Sequence, residues 1–130
     1  MPINSRTKGH GAEREVASLF RDHLGIDVER NLVQTRSGGC DLLGVPNFAV
    51  EVKRYAKATD PLKRTWWDQA CRQANDIGLE PCVIFREDRK PWKAIVAMPD
   101  YFDKEDHRSM VEMDIELFMA MVRESMNISI

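Results

Sequence analysis

Cysteine is scarce in this 130-residue chain, and its three copies, Cys40, Cys71 and Cys82, are widely spaced with no Cys-x-x-Cys pair. An odd, scattered set excludes a disulfide framework or a structural zinc site and leaves buried reduced thiols as the expected state. The three histidines, His10, His23 and His107, share no spacing that suggests a ligand set or a nucleophilic triad. No apolar run approaches the roughly 20 residues that span a bilayer, so no membrane role is expected. The opening Met1-Pro2-Ile3-Asn4-Ser5-Arg6 lacks the apolar stretch of a secretory signal, which makes the cytoplasm the expected setting. Repeats, linkers and low-complexity segments are also missing.

Nor is there a strong charge of one sign. The net charge of −2 hides an asymmetry, however. Residues 1–99 hold 16 Lys+Arg against 13 Asp+Glu, whereas residues 100–130 hold 3 against 8. A mildly basic body carrying an acidic tail permits a phosphate-binding face without demanding one. At 43% hydrophobic and 31% charged residues the composition is that of an ordinary globular chain, and its length suits one domain over 1–130.

Periodicity orders the chain. Ala12, Val16, Leu19, Phe20 and Leu24 recur at three- and four-residue steps, predicting a helix from Gly9 to Gly25. Residues 28–36 read as a strand ending in the turn Ser37-Gly38-Gly39, Cys40 to Leu43 as a second, and 48–55 as a third. Pro61 opens a helix that runs to Ile77, with Leu62, Trp66, Ala70, Ala74 and Ile77 as its buried stripe. Of the adjacent tryptophans, Trp66 is assigned inward and Trp67 partly outward. Residues 82–85 and 94–98 are the fourth and fifth strands. About 104–126 reads as a Met-rich helix whose methionines cover core or a dimer seam. The whole describes an α/β fold, a mixed five-stranded sheet flanked by helices, with a core over about 6–99 and an acidic helical extension over 100–130.

Polar residues in apolar settings stand out. Along Phe48-Ala49-Val50-Glu51-Val52-Lys53 the side chains alternate, so Glu51 and Lys53 share one face and Phe48, Val50 and Val52 the other. An acid and a lysine on such a strand are costly to bury without a partner. Asp41 lies ten residues earlier, on what should be the neighbouring strand. Two carboxylates and a lysine brought together are the parts for metal-assisted cleavage of a phosphodiester. On a helical wheel Glu13 falls on the apolar stripe between Val16, Ala17, Phe20 and Leu24, while Glu15 falls opposite, where water is expected. An inward Glu13 calls for a metal, or for a basic partner such as Arg14 or Arg36.

These residues resemble the PD-(D/E)xK nuclease superfamily, and within it the archaeal-type Holliday-junction resolvases and their phage-encoded relatives. The resemblance runs from Arg6-Thr7-Lys8-Gly9 and Ala12-Glu13-Arg14-Glu15, through Arg36-Ser37-Gly38-Gly39 and Asp41-Leu42-Leu43, to Glu51-Val52-Lys53. It covers about residues 6–99, and the acidic tail after Met98 has no counterpart in it. It implies a restriction-endonuclease-like fold and a DNA endonuclease, usually a homodimer, acting on branched DNA in the cytoplasm, that of the host where the protein is phage-encoded. It implies that Glu13, Asp41 and Glu51, with the main-chain carbonyl of Val52, hold Mg²⁺ or Mn²⁺. Lys53 would then orient the attacking water or steady charge on the phosphate.

Around that site Lys8, Arg14, Arg36, Ser37, Arg54, Lys57, Lys63 and Arg64 are the expected contacts to DNA, positioning the backbone without reading sequence. Gln69 is expected behind them, supporting the catalytic groups. Rival readings are a nuclease for flap, nicked or sequence-restricted DNA, a DNA-binding module of the same fold that no longer cuts, and an adaptor docked through its acidic tail.

Overall fold

The computed structural model describes residues 5–32, 40–98 and 109–127. Helix α1 (Ser5–Leu24) begins a turn before the apolar repeat, because nothing in Ser5-Arg6-Thr7-Lys8 breaks a helix. It stops at Gly25, whose φ of 67° is one that a side chain resists and glycine accepts. The short strands β1 (Glu29–Arg30) and β2 (Leu42–Leu43) lead to β3 (Phe48–Tyr55). Helix α2 (Asp60–Ile77) is capped by Thr59, whose hydroxyl accepts from the Leu62 N–H at 3.4 Å, and is closed by Gly78 at φ 70°. Strands β4 (Glu80–Glu87), β5 (Lys93–Ala97) and β6 (Met110–Asp114) follow, and helix α3 (Ile115–Asn127) comes last.

The sheet has six strands in the order β1-β2-β3-β4-β5-β6, one more than the sequence suggested. Only β3 and β4 run parallel, joined by α2 as the crossover; the other neighbours are antiparallel. The additional strand is Met110–Asp114, which reads as helix from its methionines and glutamate. Its residues nonetheless suit a pleat, and pairing with β5 satisfies the polar backbone edge that β5 would otherwise leave open. The Met-rich helix is accordingly shortened to Ile115–Asn127.

Each face of the sheet carries its own core. On one, Val16 and Phe20 of α1 and Phe118 and Val122 of α3 pack on Val50, Val52 and Ile84. Phe118 meets Phe20 and Phe48 edge-on, with ring centroids 6.3 and 5.3 Å apart. On the other, α2 lays Trp66, Trp67 and Ala70 over Val83, Phe85 and Ile95. Both tryptophans are buried, Trp67 to 1% exposure, contrary to the expectation that one would face outward. Consecutive helical residues differ by 100°, and a helix lying flat on a wide sheet can sink an arc of that width.

Trp67→Ala should therefore cost about 3–5 kcal/mol of folding stability, the range for deleting a large buried aromatic. Chemical denaturation checks this; a loss under about 1 kcal/mol would return Trp67 to the surface.

Candidate active site

The site begins where β2 and β3 meet. Asp41 enters β2 with its N–H donating to the Val50 carbonyl at 2.9 Å, and its own carbonyl accepts from the Asn31 N–H at 2.9 Å. Its carboxylate oxygen Oδ2 accepts from the Val52 N–H at 2.7 Å. The strand that carries Glu51 thus also fixes Asp41. Asp41 is 7% exposed and Glu51 2%.

Burial pushes the Glu51 carboxyl up to about 9. The negative charge of Asp41 and the hydrogen bond the two acids share push the same way, Glu13 adds to the rise, and Lys53 opposes it. Glu51 therefore holds a proton at neutral pH. Among the described residues its Oε1, fully buried, has no hydrogen-bond partner. A buried acid facing a second acid with one oxygen orphaned is unfavourable by itself and favourable around a cation.

Among the described residues no three His, Cys, Asp or Glu side chains form a ligating group. Asp41 and Glu51 nevertheless suit Mg²⁺, which commonly takes one or two protein carboxylates and keeps water on its other positions. Glu13 reaches the cluster electrostatically, but its Oε2 accepts from the Arg30 Nε at 3.2 Å, with the two side chains 14% and 20% exposed. The partner seen is Arg30 and not Arg14, which is exposed; Arg36 lies outside the described residues. The signal for Arg30 was only its place at the end of the first strand.

Lys53 is half-buried on the strand face that carries Glu51. Glu15 departs from its expected role: it accepts from Arg86 Nη1 at 2.6 Å and from the Trp92 indole N–H at 2.9 Å. Arg86 of β4 and Trp92 ahead of β5 thus take up the second glutamate of α1.

The expected DNA contacts are scattered rather than gathered. Arg14, Lys57 and Arg64 are exposed. Arg54 lies 3.7 Å from Asp88, on the face opposite Glu51 and Lys53. Lys63, 16% exposed, donates to Glu112 at 2.8 Å and sits over the Phe85 ring, which makes it a tether between α2 and β6. Gln69 is half-buried on α2, and one turn on Gln73 has a buried Oε1 without a partner among the described residues. Arg36 and Ser37 lie outside the described residues, as does the side chain of Lys8.

Comparison with known proteins gives the geometry its context. The sequence model of a family described as phage PDDEXK endonuclease matches residues 4–120. Protein D14 of Escherichia phage T5 is 23% identical over 145 aligned positions, covering 93% of this chain and 91% of that protein. Hjc, a Holliday junction resolvase from the archaeal hyperthermophile Archaeoglobus fulgidus, superposes with a TM-score of 0.53 at 16% identity. That match covers 85% of this chain and 97% of the resolvase, and it shows a shared fold.

The raised Glu51 carboxyl has a measurable consequence. A group whose folded pKa exceeds its unfolded one stabilises fully below the unfolded value, and that contribution is lost as pH rises through the folded value. Metal-free protein should therefore lose stability between about pH 4.5 and 9, and Glu51→Gln should flatten that slope and raise the melting temperature at pH 8. Thermal denaturation across pH reads both effects; an unchanged slope in the variant would remove Glu51 as its source.

Proposed function

Because the chain belongs to the phage PDDEXK endonuclease family, we propose that it is a metal-dependent DNA endonuclease that cuts branched DNA, four-way junctions first among them. The observation that carries the reading is the buried Asp41–Glu51 pair, with its shared hydrogen bond, its raised proton affinity and an orphaned carboxyl oxygen. Asp41 and Glu51, with the carbonyl of Val52, would hold Mg²⁺ or Mn²⁺, and Glu13 would reach it through water. Such a cation, when bound, supplies positive charge against the phosphate and makes neighbouring water more acidic.

The chain's own groups do the rest. The Val52 N–H keeps the Asp41 carboxylate aimed. To serve as a ligand Glu51 would have to give up its proton, so cation affinity should rise with pH. Lys53 orients the attacking water or steadies charge gathering on the phosphate. Arg30 holds Glu13 in place.

Branched DNA is favoured over a plain duplex because the fold is shared with a Holliday junction resolvase; DNA shape would then select the substrate. Symmetrical cutting requires two sites, so a homodimer is part of the reading. The host cytoplasm is the setting that fits a phage protein family. Among the described residues no helix is long and apolar enough to cross a membrane.

Incubating labelled four-way junction, flap, nicked and linear duplex with the protein, with and without Mg²⁺, tests the proposal. Metal-dependent cutting of the junction above the others is expected; equal cutting of all would replace junction specificity by general nuclease activity. Asp41→Asn and Lys53→Ala should each lower cutting at least about hundredfold while binding and folding stay near parental. Either variant cleaving like the parent would sink its assigned role.

A further inference from the structure

Outside the acid cluster, a groove of about 430 Å³ runs between the outer side of α1 and the edge strand β1. Arg14, Ser18 and Arg21 line it from the helix, and Glu29, Arg30 and Leu32 from the strand and its exit. Three guanidinium groups and one carboxylate line it, and Asp27 and Glu13 meet Arg21 and Arg30 at its margins. Arg14 and Arg21 lie seven residues apart on one helix face, about 10.5 Å along the axis, which is roughly three nucleotide steps of one DNA strand. Arg30 belongs both to the groove and to the Glu13 pair, so the groove opens directly beside the acid cluster.

Arg21 meets Asp27 at 3.6 Å in a pair that is largely solvent-exposed on both sides, a contact that contributes little to stability. Its charge is available to a phosphate at small structural cost. At the lip Leu32 is 75% exposed, a placement that suits an apolar contact with deoxyribose better than it suits water.

We infer that this groove is the track for the DNA arm leading away from the cut, with Arg14, Arg21 and Arg30 contacting backbone phosphates along it. The inference rests on the nuclease reading above and deepens it: it gives the substrate a direction across the molecule, along α1 rather than over α2. Arg21 enters as a substrate contact that the motifs do not mark. Arg30 has two neighbours there, Glu13 and the backbone.

Two measurements on the full chain test it, both in the non-cutting Asp41→Asn background. In the first, fluorescence anisotropy of a labelled four-way junction is followed against salt. Arg21→Ala should weaken binding about three- to tenfold and reduce the slope of log affinity against log salt by about one; adding Arg14→Ala should reduce it by about two. In the second, a photo-crosslinker is attached to Ser18→Cys, with Cys71→Ala removing the half-buried native thiol. Labelled DNA should crosslink there and not at an exposed α2 control, Asp76→Cys.

A parental salt slope in the Arg21 variant together with no adduct at position 18 would overturn the inference, even if the parent binds and cuts DNA. An adduct at position 76 in place of 18 would move the track to α2. A parent that binds no DNA at all would instead fail the nuclease reading, and this inference with it.

Discussion

Two carboxyl groups pressed together in the interior, Asp41 on the approach to β2 and Glu51 on β3, set the terms for the structure around them. Side by side in a low-dielectric setting, both cannot be charged without compensation, and Glu51 answers by keeping its proton. Asp41 is held by a main-chain N–H two residues from its β3 neighbour Val50, so the sheet itself imposes the repulsion. Small residues, Cys40 and Ala49 with Ala74 of α2, pack close by and keep water away. Burial of this kind weakens a fold, a cost that functional sites commonly carry.

The layers around the pair have complementary tasks. Helix α1 buries Val16 and Phe20 and in doing so delivers Glu13 to the edge of the cluster, where Arg30 of β1 receives it. Helix α2, with both tryptophans sunk, makes the opposite wall rigid. Parallel pairing of β3 with β4 places Glu51 and Lys53 opposite Val83 and Phe85, so the polar groups of β3 have an apolar neighbour on that side. Charge is thereby concentrated toward β2 and β1, at one edge of the sheet.

The far edge of the sheet is closed by β6. Glu112 joins it to the rest by meeting Lys63 of α2 at 2.8 Å and Lys93 of β5 at 3.5 Å. Partial burial works against the charge on Glu112, yet the two lysines outweigh it and hold its carboxyl below the usual range. Part of the acidic tail is thus spent within the fold, and one lysine that looked like a DNA contact is spent with it. Among the described residues the tail supplies strand β6 and helix α3.

Much of this was legible in the order of residues. Period-two alternation placed Glu51 and Lys53 on one strand face, and the three- and four-residue repeat of α1 singled out Glu13 as inward. Both features depend on local geometry, which a backbone imposes whatever surrounds it. Arg30 as the partner of Glu13, the burial of Trp67, the strand at Met110–Asp114 and the capture of Lys63 by Glu112 were not legible. Each depends on what lies across the sheet or 17 to 49 residues away along the chain. Sequence determined which polar groups stand in apolar settings; packing alone decided which of them meet, because charge pairing and burial depend on distances through space that no local pattern records.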